Sequence, residues 1–219
     1  MSVSTPTLPL SESLSALGFA TDRLFFAMNY QFTPPKATGL KKRLKQNDKA
    51  IDVDIACVLY DDDCVIDDIV WFKQLRDKAE SVRHQGDSLN GKDRGEQALY
   101  NAPLDQEQIR LYLDHIPAHI RHVAMIVHSY NQQPLAGVEA GEVHLSDDEY
   151  NRAFTVDLKQ LPRDCYGLWV ANLRRGVDDW YLTVQQLPLA AEDIEKLAQQ
   201  VAHELARALP IAQPTATPL

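Results

Sequence analysis

Cysteine is scarce in this chain of 219 residues, which contains only Cys57, Cys64 and Cys165. An odd number of widely separated cysteines provides neither a disulfide framework nor the close pairs of a zinc site. This usage indicates a reducing, cytoplasmic environment. Cys57 lies in an apolar segment with a strand pattern, so we expect a buried and unreactive thiol there.

Long apolar runs are also missing. No run approaches the roughly 20 residues that a membrane-spanning helix needs. Residues 1–12 carry no basic side chain and no apolar core, unlike a secretory signal. We therefore expect a cytoplasmic protein without a transmembrane segment.

The chain has no excess of positive charge, and its formal net charge is −9. Nucleic-acid binding calls for a basic face, so we expect no nucleic-acid partner. The negative charge is concentrated between Asp52 and Glu107, where 14 Asp and Glu face 6 Lys and Arg. About a quarter of the chain therefore holds nearly all of the excess negative charge.

Residues 51–60 show the alternation of a β-strand. The residues that share its apolar face are Ile51, Val53, Ile55, Cys57 and Leu59. Asp52 and Asp54 then lie together on the opposite face. Residues 123–127 form a continuous apolar run, which is typical of a strand covered on both faces. Further strands are predicted at residues 23–32, 65–66, 69–72, 109–113, 153–158, 166–172 and 180–184.

Short strands separated by turn residues predict a mainly β fold, a β-sandwich of two sheets. Near the end, apolar residues recur every three or four positions and predict an appended C-terminal α-helix over residues 189–209. The expected organisation is a flexible leader (1–16), the sandwich domain (17–188), this helix, and a disordered tail (210–219).

The acidic stretch contains the parts of a calcium site. Calcium takes six to eight oxygen ligands, and a glycine-rich loop lets backbone carbonyls turn towards the ion. The candidate ligands are Asp54, Asp87 and Asp105, followed by Asp52, Asn90 and Glu107. On composition alone, a solvated acidic surface explains the same residues, because their spacing is not that of an EF-hand.

Three segments resemble the tellurium-resistance (TerD) family. They are Asp52-Val53-Asp54 before an apolar strand, the Gly-Asp-Ser-Leu-Asn-Gly loop at residues 86–91, and Asp-Gln-Glu-Gln-Ile at residues 105–109. The family shows Asp-Leu-Asp, Gly-Asp-Asn-x-Thr-Gly and Asp-Asp-Glu-Gln-Ile in the same order. Two later segments are also similar, namely residues 115–117 and residues 173–176 leading to Trp180.

The resemblance covers residues 19–187 and implies a β-sandwich that binds Ca2+ through its acidic loops. It also implies an adaptor or sensor in a bacterial stress response linked to tellurite resistance, and not an enzyme. Some members are thought to act with other stress-system proteins at the inner face of the membrane. The resemblance therefore allows a cytoplasmic protein that is peripheral to the inner membrane.

This sequence departs from the family pattern at several positions. Lys92 and Arg94 follow the loop and would repel a cation, and Gln106 replaces an acid. These departures leave one, two or no calcium sites open. They also favour an alternative hypothesis, a scaffold of the same fold that binds no metal.

Two other site hypotheses carry less support. A metal-dependent hydrolase could use the same acids, with His84 as the only evident base nearby. His115, His119 and His122 have the spacing of a zinc face on a helix, but Pro117 interrupts the span. Turn and surface histidines are the simpler interpretation of these three.

Overall fold

A computed structural model of the protein describes residues 11–30, 51–86 and 105–208. In these ranges the chain forms two antiparallel sheets, with one α-helix near the end. The elements, in chain order, are β1 (Ser11–Ser13), β2 (Arg23–Tyr30), β3 (Val53–Tyr60), β4 (Ile66–Val70), β5 (Val82–His84), β6 (Glu107–Tyr112), β7 (His122–Ser129), β8 (Gly141–Ser146), β9 (Arg152–Asp157), β10 (Gly167–Arg175), β11 (Trp180–Leu189) and α1 (Ile194–Ala208). A short 3-10 turn, Leu135–Gly137, precedes β8.

The two sheets pack face to face and enclose the main core. The six-stranded sheet has the order β1-β11-β10-β7-β3-β4, and the five-stranded sheet has the order β5-β6-β2-β8-β9. Alternate residues of each strand point into the space between the sheets, as the period of two requires. Phe26 of β2 and Ile55 of β3 are both fully buried in this core. The predicted mainly β sandwich is confirmed.

Helix α1 covers the outer face of the six-stranded sheet. Its apolar stripe, with Leu197 and Val201, packs on the residues of β3 and β7 that point away from the main core. The Tyr60 hydroxyl donates a hydrogen bond of 2.8 Å to the Ala198 carbonyl and ties the helix to the sheet. Because of this cover, β3 and β7 are buried on both faces.

The C-terminal helix begins later than predicted. Leu189 is the last residue of β11, and the helix starts at Ile194. The Asp193 carboxylate accepts the backbone N–H of Lys196 at 2.8 Å, which makes Asp193 the N-cap. Residue 209 and the predicted tail lie outside the described residues. In the described ranges, no helix is both long enough and apolar enough to cross a membrane.

The predicted leader extends too far into the domain. Ser11–Ser13 form strand β1, which pairs with β11, and Leu14 is buried in the main core. Ser15 then donates a hydrogen bond of 2.6 Å to the Asp179 carboxylate. A short polar strand has no apolar alternation, so its pairing cannot be seen in the sequence.

Strand β4 was predicted as two pieces separated by Asp67 and Asp68, but it is continuous. Asp68 is buried and accepts backbone N–H groups from Ile69 and Lys78, each at 3.0 Å. These hydrogen bonds compensate the burial of a charged group inside the strand. Strands β5 and β8 were not anticipated, and residues 31–32 of the first predicted strand are outside the described ranges.

Candidate functional site

The first residues of β3 extend past the end of the neighbouring strand β4 and have no backbone partner there. The two strands are in register from Cys57 to Tyr60, so the backbone N–H groups of Val53 and Ile55 are not paired with β4. A Glu107 carboxylate oxygen, Oε2, accepts the Ile55 N–H at 2.9 Å. The Tyr30 hydroxyl accepts the Val53 N–H at 3.4 Å. Two side chains of the five-stranded sheet therefore satisfy the open edge of β3.

The charges of three predicted metal ligands act on this Tyr30 hydroxyl. Burial raises the pKa of Tyr30 to about 12; the hydrogen bond from Val53 opposes this shift, and the charges of Asp52, Asp54 and Glu107 contribute to it. The phenol therefore stays protonated at neutral pH and can donate a hydrogen bond to a carboxylate. Asp52, Asp54 and Glu107 therefore lie within electrostatic range of one hydroxyl group at this end of the sandwich.

Asp54 points away from the main core, towards the outer face of the six-stranded sheet. It is 2% exposed and lies directly opposite His128 of β7 in the strand register. Burial, with a smaller contribution from His84, lowers the pKa of His128 to about 4. His128 is therefore a neutral imidazole at physiological pH.

His84, the candidate base, does lie beside an acid of the cluster. Its Nε2 atom is 3.7 Å from Glu107 Oε2, and both side chains are buried. Its other ring nitrogen, Nδ1, accepts the Gly86 N–H at 3.1 Å. In the neutral ring, the proton is then on Nε2 and faces Glu107. The pair is held in place by backbone groups on both sides.

Asp105 lies beside His144 of strand β8. Its Oδ2 atom is 3.7 Å from Nε2 of His144, a residue between the core positions Val143 and Leu145 of β8. His144 therefore faces the outside of the five-stranded sheet, whereas Glu107 faces the inside. Burial lowers the pKa of His144, and the charge of Asp105 opposes this shift.

Gln106, which replaces an acid of the family pattern, has a structural role. Its side-chain carbonyl accepts the Tyr30 N–H at 2.9 Å, and its own N–H donates to the Met28 carbonyl at 2.8 Å. Through its side chain and its backbone, Gln106 thus extends the pairing of β6 with β2 by one residue. An acid at this position would accept the same N–H, so the exchange removes a charge without removing the hydrogen bond.

The described part of the predicted metal site is incomplete. Asp87 and Asn90 lie outside the described residues, as do Lys92 and Arg94. Among the residues that the structure describes, no three His, Cys, Asp or Glu side chains are placed to hold a metal ion. The described carboxylates fit the chemistry of calcium, but on their own they do not form a site for it.

The three histidines with zinc spacing do not form a site together. His115 lies 3.4 Å from the carboxylate of Asp114, and His119 lies 3.3 Å from that of Asp67. His122 is buried in β7 and is 3.1 Å from the side-chain amide of Asn172. The separate partners agree with the interpretation of these residues as turn and structural histidines.

One feature that sequence analysis did not single out is an aromatic cluster after β4. Phe72 contacts both Trp71 and Tyr130, and the ammonium group of Lys73 lies over all three rings. Trp71 and Phe72 had been assigned to a strand, and Tyr130 comes from a segment far along the chain. The sequence contains no local signal that would place these residues together.

An antiparallel two-sheet sandwich, with a helix on one outer face and carboxylates at one end, defines the class of this protein. A sequence model of the TerD domain matches residues 36–200, and the chain therefore belongs to the TerD domain family. The resemblance stated above is confirmed at the level of the family.

Individual relatives agree with this assignment. The chain is 29% identical over 181 residues to the tellurium resistance protein TerZ of Serratia marcescens, covering 83% of this chain and 86% of that protein. The fold is similar to the crystal structure of SAV2460, a protein of unknown function, with a TM-score of 0.64 and 15% identity over 82% of this chain and 96% of that one. It is also similar to a homologue of telluride resistance protein (TerD), SCO6318 from Streptomyces coelicolor A3(2), with a TM-score of 0.63 and 14% identity over the same shares of the two chains.

Proposed function

We propose that this protein is a calcium-binding adaptor or sensor of a tellurite-resistance type stress system, acting by binding and not by catalysis. The observation that supports a metal site is the position of Asp52, Asp54 and Glu107 within electrostatic range of the Tyr30 hydroxyl, at the open edge of β3. In this proposal Ca2+ binds at that end of the sandwich, with further oxygens from Asp87 and Asn90.

The electrostatics of the site support a cation. Carboxylates that are close together and shielded from water repel one another, and a divalent ion removes this repulsion. Gly86 has a φ of +99°, a conformation that glycine adopts without strain, and it directly precedes Asp87. The chain can therefore turn sharply where the predicted calcium loop begins.

Glu107 links such an ion to the fold. Its carboxylate already accepts the Ile55 N–H of a central strand, and a carboxylate has lone pairs left for a cation. Binding would stabilise this end of the sandwich and order the surface around it for other stress-system proteins. We also propose that the protein meets these partners at the inner face of the membrane.

A thermal melt of the purified protein in excess EGTA, then in millimolar calcium, tests the metal site. Calcium at about 100 times its dissociation constant stabilises the fold by roughly 2.7 kcal/mol. For a domain of this size we expect a rise in Tm of about 5–10 °C. Magnesium serves as the control ion, because its smaller octahedral shell does not suit a loose site of carboxylates.

Variants separate a specific site from general charge screening. The shift in Tm should disappear in Asp54→Asn and in Asp87→Ala. It should persist in Asp63→Asn, which removes an exposed carboxylate from the turn after β3. Equal shifts in all three variants would indicate screening of the whole acidic region and would count against the site.

The second candidate is a scaffold that binds no metal. It is favoured by the hydrogen bonds of Glu107 and Gln106 to backbone N–H groups, which hold the acidic end together without an ion. If neither calcium nor magnesium changes the Tm, this candidate takes first place. The protein would then act only by binding partner proteins.

A further inference from the structure

The ammonium group of Lys73 lies among three aromatic rings. Its Nζ atom is 5.0 Å from the ring centre of Trp71, 5.4 Å from that of Phe72 and 4.9 Å from that of Tyr130. A cation within about 6 Å of an aromatic face is attracted by the ring quadrupole. Three such contacts to one ammonium group define an aromatic cage, which is the geometry that proteins use for organic cations.

The cage opens on a cavity of about 180 Å3 between the β4–β5 connection and the start of helix α1. At roughly 30 Å3 per water, this space equals about six water molecules. It suits a small head group and is below the roughly 300 Å3 of sites for larger ligands. Trp71, Lys73, Tyr130 and His128 all line it.

His128 lines the cavity, and its Nε2 atom lies just beneath the cavity surface. The residue is 2% exposed, and its Nε2 atom has no hydrogen-bond partner within the described ranges. A neutral imidazole has one ring nitrogen that can accept an N–H. A buried polar atom without a partner costs free energy, and a ligand that donates to it removes that cost.

The charge at the mouth of the cavity favours a cation over an anion. Glu192, Asp193 and Glu195 line it, and Glu192 and Glu195 are exposed. The start of a helix attracts anions through its free N–H groups, but here the Asp193 carboxylate occupies the N-cap. Apart from Lys73, no cationic side chain lines the cavity among the described residues.

We propose that this aromatic cavity binds a small alkylammonium ligand, and that Lys73 occupies the cage as an internal substitute until the ligand displaces it. The aromatic faces hold the cation, His128 accepts one of its N–H groups, and the acids at the mouth balance its charge. The side chain of Lys73 is exposed and flexible, so it can leave the cage without a change in the backbone.

This inference goes beyond the calcium proposal and does not depend on it. Asp54 is the cross-strand neighbour of His128, but the cage, the cavity and the acids at its mouth involve none of the predicted metal ligands. The test is therefore made in EGTA, where a failure of the cavity proposal cannot be attributed to a failure of the metal site.

The experiment is a titration of the full chain with n-butylammonium, followed by the Trp71 indole N–H resonance and by calorimetry. We expect saturable binding, with an affinity roughly three- to tenfold higher in Lys73→Ala, because the internal competitor is gone. Lys78→Ala is the matched control, since this exposed lysine lies beside Asp67 and away from the rings. Its affinity should equal that of the unmodified protein.

Two further variants test the cage and the histidine separately. Tyr130→Ala removes a half-exposed ring and should weaken binding of every cation. His128→Phe keeps a ring but removes Nε2, so it should weaken n-butylammonium and leave tetramethylammonium, which has no N–H, unchanged. Melting curves of both variants show whether the fold is retained.

A lysine peptide, Nα-acetyl-lysine-methylamide, distinguishes a protein side chain from a free amine as the source of the ammonium group. Tighter binding of the peptide than of n-butylammonium would identify a side chain. The proposal is overturned if neither probe binds the unmodified protein or Lys73→Ala at millimolar concentration, or if Lys73→Ala and Lys78→Ala behave alike.

Discussion

The carboxylate of Glu107 accepts the backbone N–H of Ile55 at 2.9 Å, and this hydrogen bond joins β6 of one sheet to β3 of the other. Both residues are buried, and neither strand pairs with the other through its backbone. A residue predicted as a metal ligand is thus also a support of the sandwich. Its two roles can be separated by substitution.

Glu107→Ala should lower the free energy of unfolding by about 1–3 kcal/mol, because it leaves the buried Ile55 N–H without its acceptor. Glu107→Gln keeps an acceptor oxygen and should cost less, while it removes a negative charge from any calcium site. Urea denaturation in EGTA measures both losses. Gln108→Ala, on the same strand but facing outward, is the control and should change stability by less than about 0.5 kcal/mol. Equal losses for Glu107→Ala and Glu107→Gln would contradict the structural role of the hydrogen bond.

Arg175 holds the turn before β7. Its guanidinium donates to the carbonyls of Ile116 at 2.8 Å and Ile120 at 3.0 Å, and it lies 4.4 Å from the ring centre of Trp180. Arg175→Lys keeps the charge but loses the planar fork, so we expect a loss of about 2 kcal/mol in unfolding free energy.

Arg174→Lys is the matched comparison for this prediction. Arg174 is exposed and stacks on Tyr181 at 4.9 Å, so its replacement should cost less than about 1 kcal/mol. Chemical denaturation of the two variants side by side makes the comparison. If both lose the same stability, the hydrogen bonds of Arg175 do not anchor the turn.

His122 should make the fold sensitive to acid. Burial lowers its pKa to about 4, as do the charges of Arg174 and Arg121, whereas Asp62 opposes the shift. In the unfolded chain the ring has its ordinary pKa of about 6.5. Between these two values the unfolded chain binds a proton that the folded chain does not, so stability falls as the pH decreases.

His122→Gln removes this titration and keeps a partner for Asn172. Between pH 7 and pH 5, the unmodified protein should lose about 1–2 kcal/mol more than the variant does. Urea denaturation at half-unit pH intervals gives both curves. Parallel curves over this range would show that His122 does not carry the acid sensitivity.

All three cysteines should be unreactive in the folded protein. Burial raises the pKa of Cys57 well above its ordinary range and that of Cys165 to about 11. Burial and the three acids that directly precede it also raise the pKa of Cys64. Thiolates are the reactive form, so Ellman's reagent should modify no thiol until guanidinium is added, and then three. A thiol that reacts quickly in the folded state would contradict this prediction and would offer a group able to reduce tellurite.

The sequence predicted those parts of the fold whose apolar pattern repeats over several turns or pleats. The alternation at residues 51–60, the apolar run at 123–127 and the helical stripe that includes Leu197 all correspond to observed elements. In contrast, β1 consists of Ser-Glu-Ser, and its pairing with β11 depends on a strand far away in the chain. Its position is determined by tertiary contacts and not by local pattern.

The candidate site was predicted less completely than the fold. The alternation of residues in a strand predicted that Asp54 and Ile55 lie on opposite faces of β3, and the structure confirms this. The same argument would put Asp105 and Glu107 on one face, but Asp105 precedes the first residue of β6 and contacts His144 on the other side of the sheet. The position of Asp105 is therefore determined by the segment before β6 and not by the period of the strand.

Strand β4 pairs with only part of β3, and this has a consequence for the aggregation of the protein. An unpaired edge on a central strand is a template for a strand from another chain, and hence for aggregation. Here the acceptors on Tyr30 and Glu107 occupy the N–H groups of Val53 and Ile55, and these strand residues are buried. Two side chains at the proposed calcium site thus also keep a foreign strand from joining the sheet, and a substitution that opens this edge would impair solubility as well as stability.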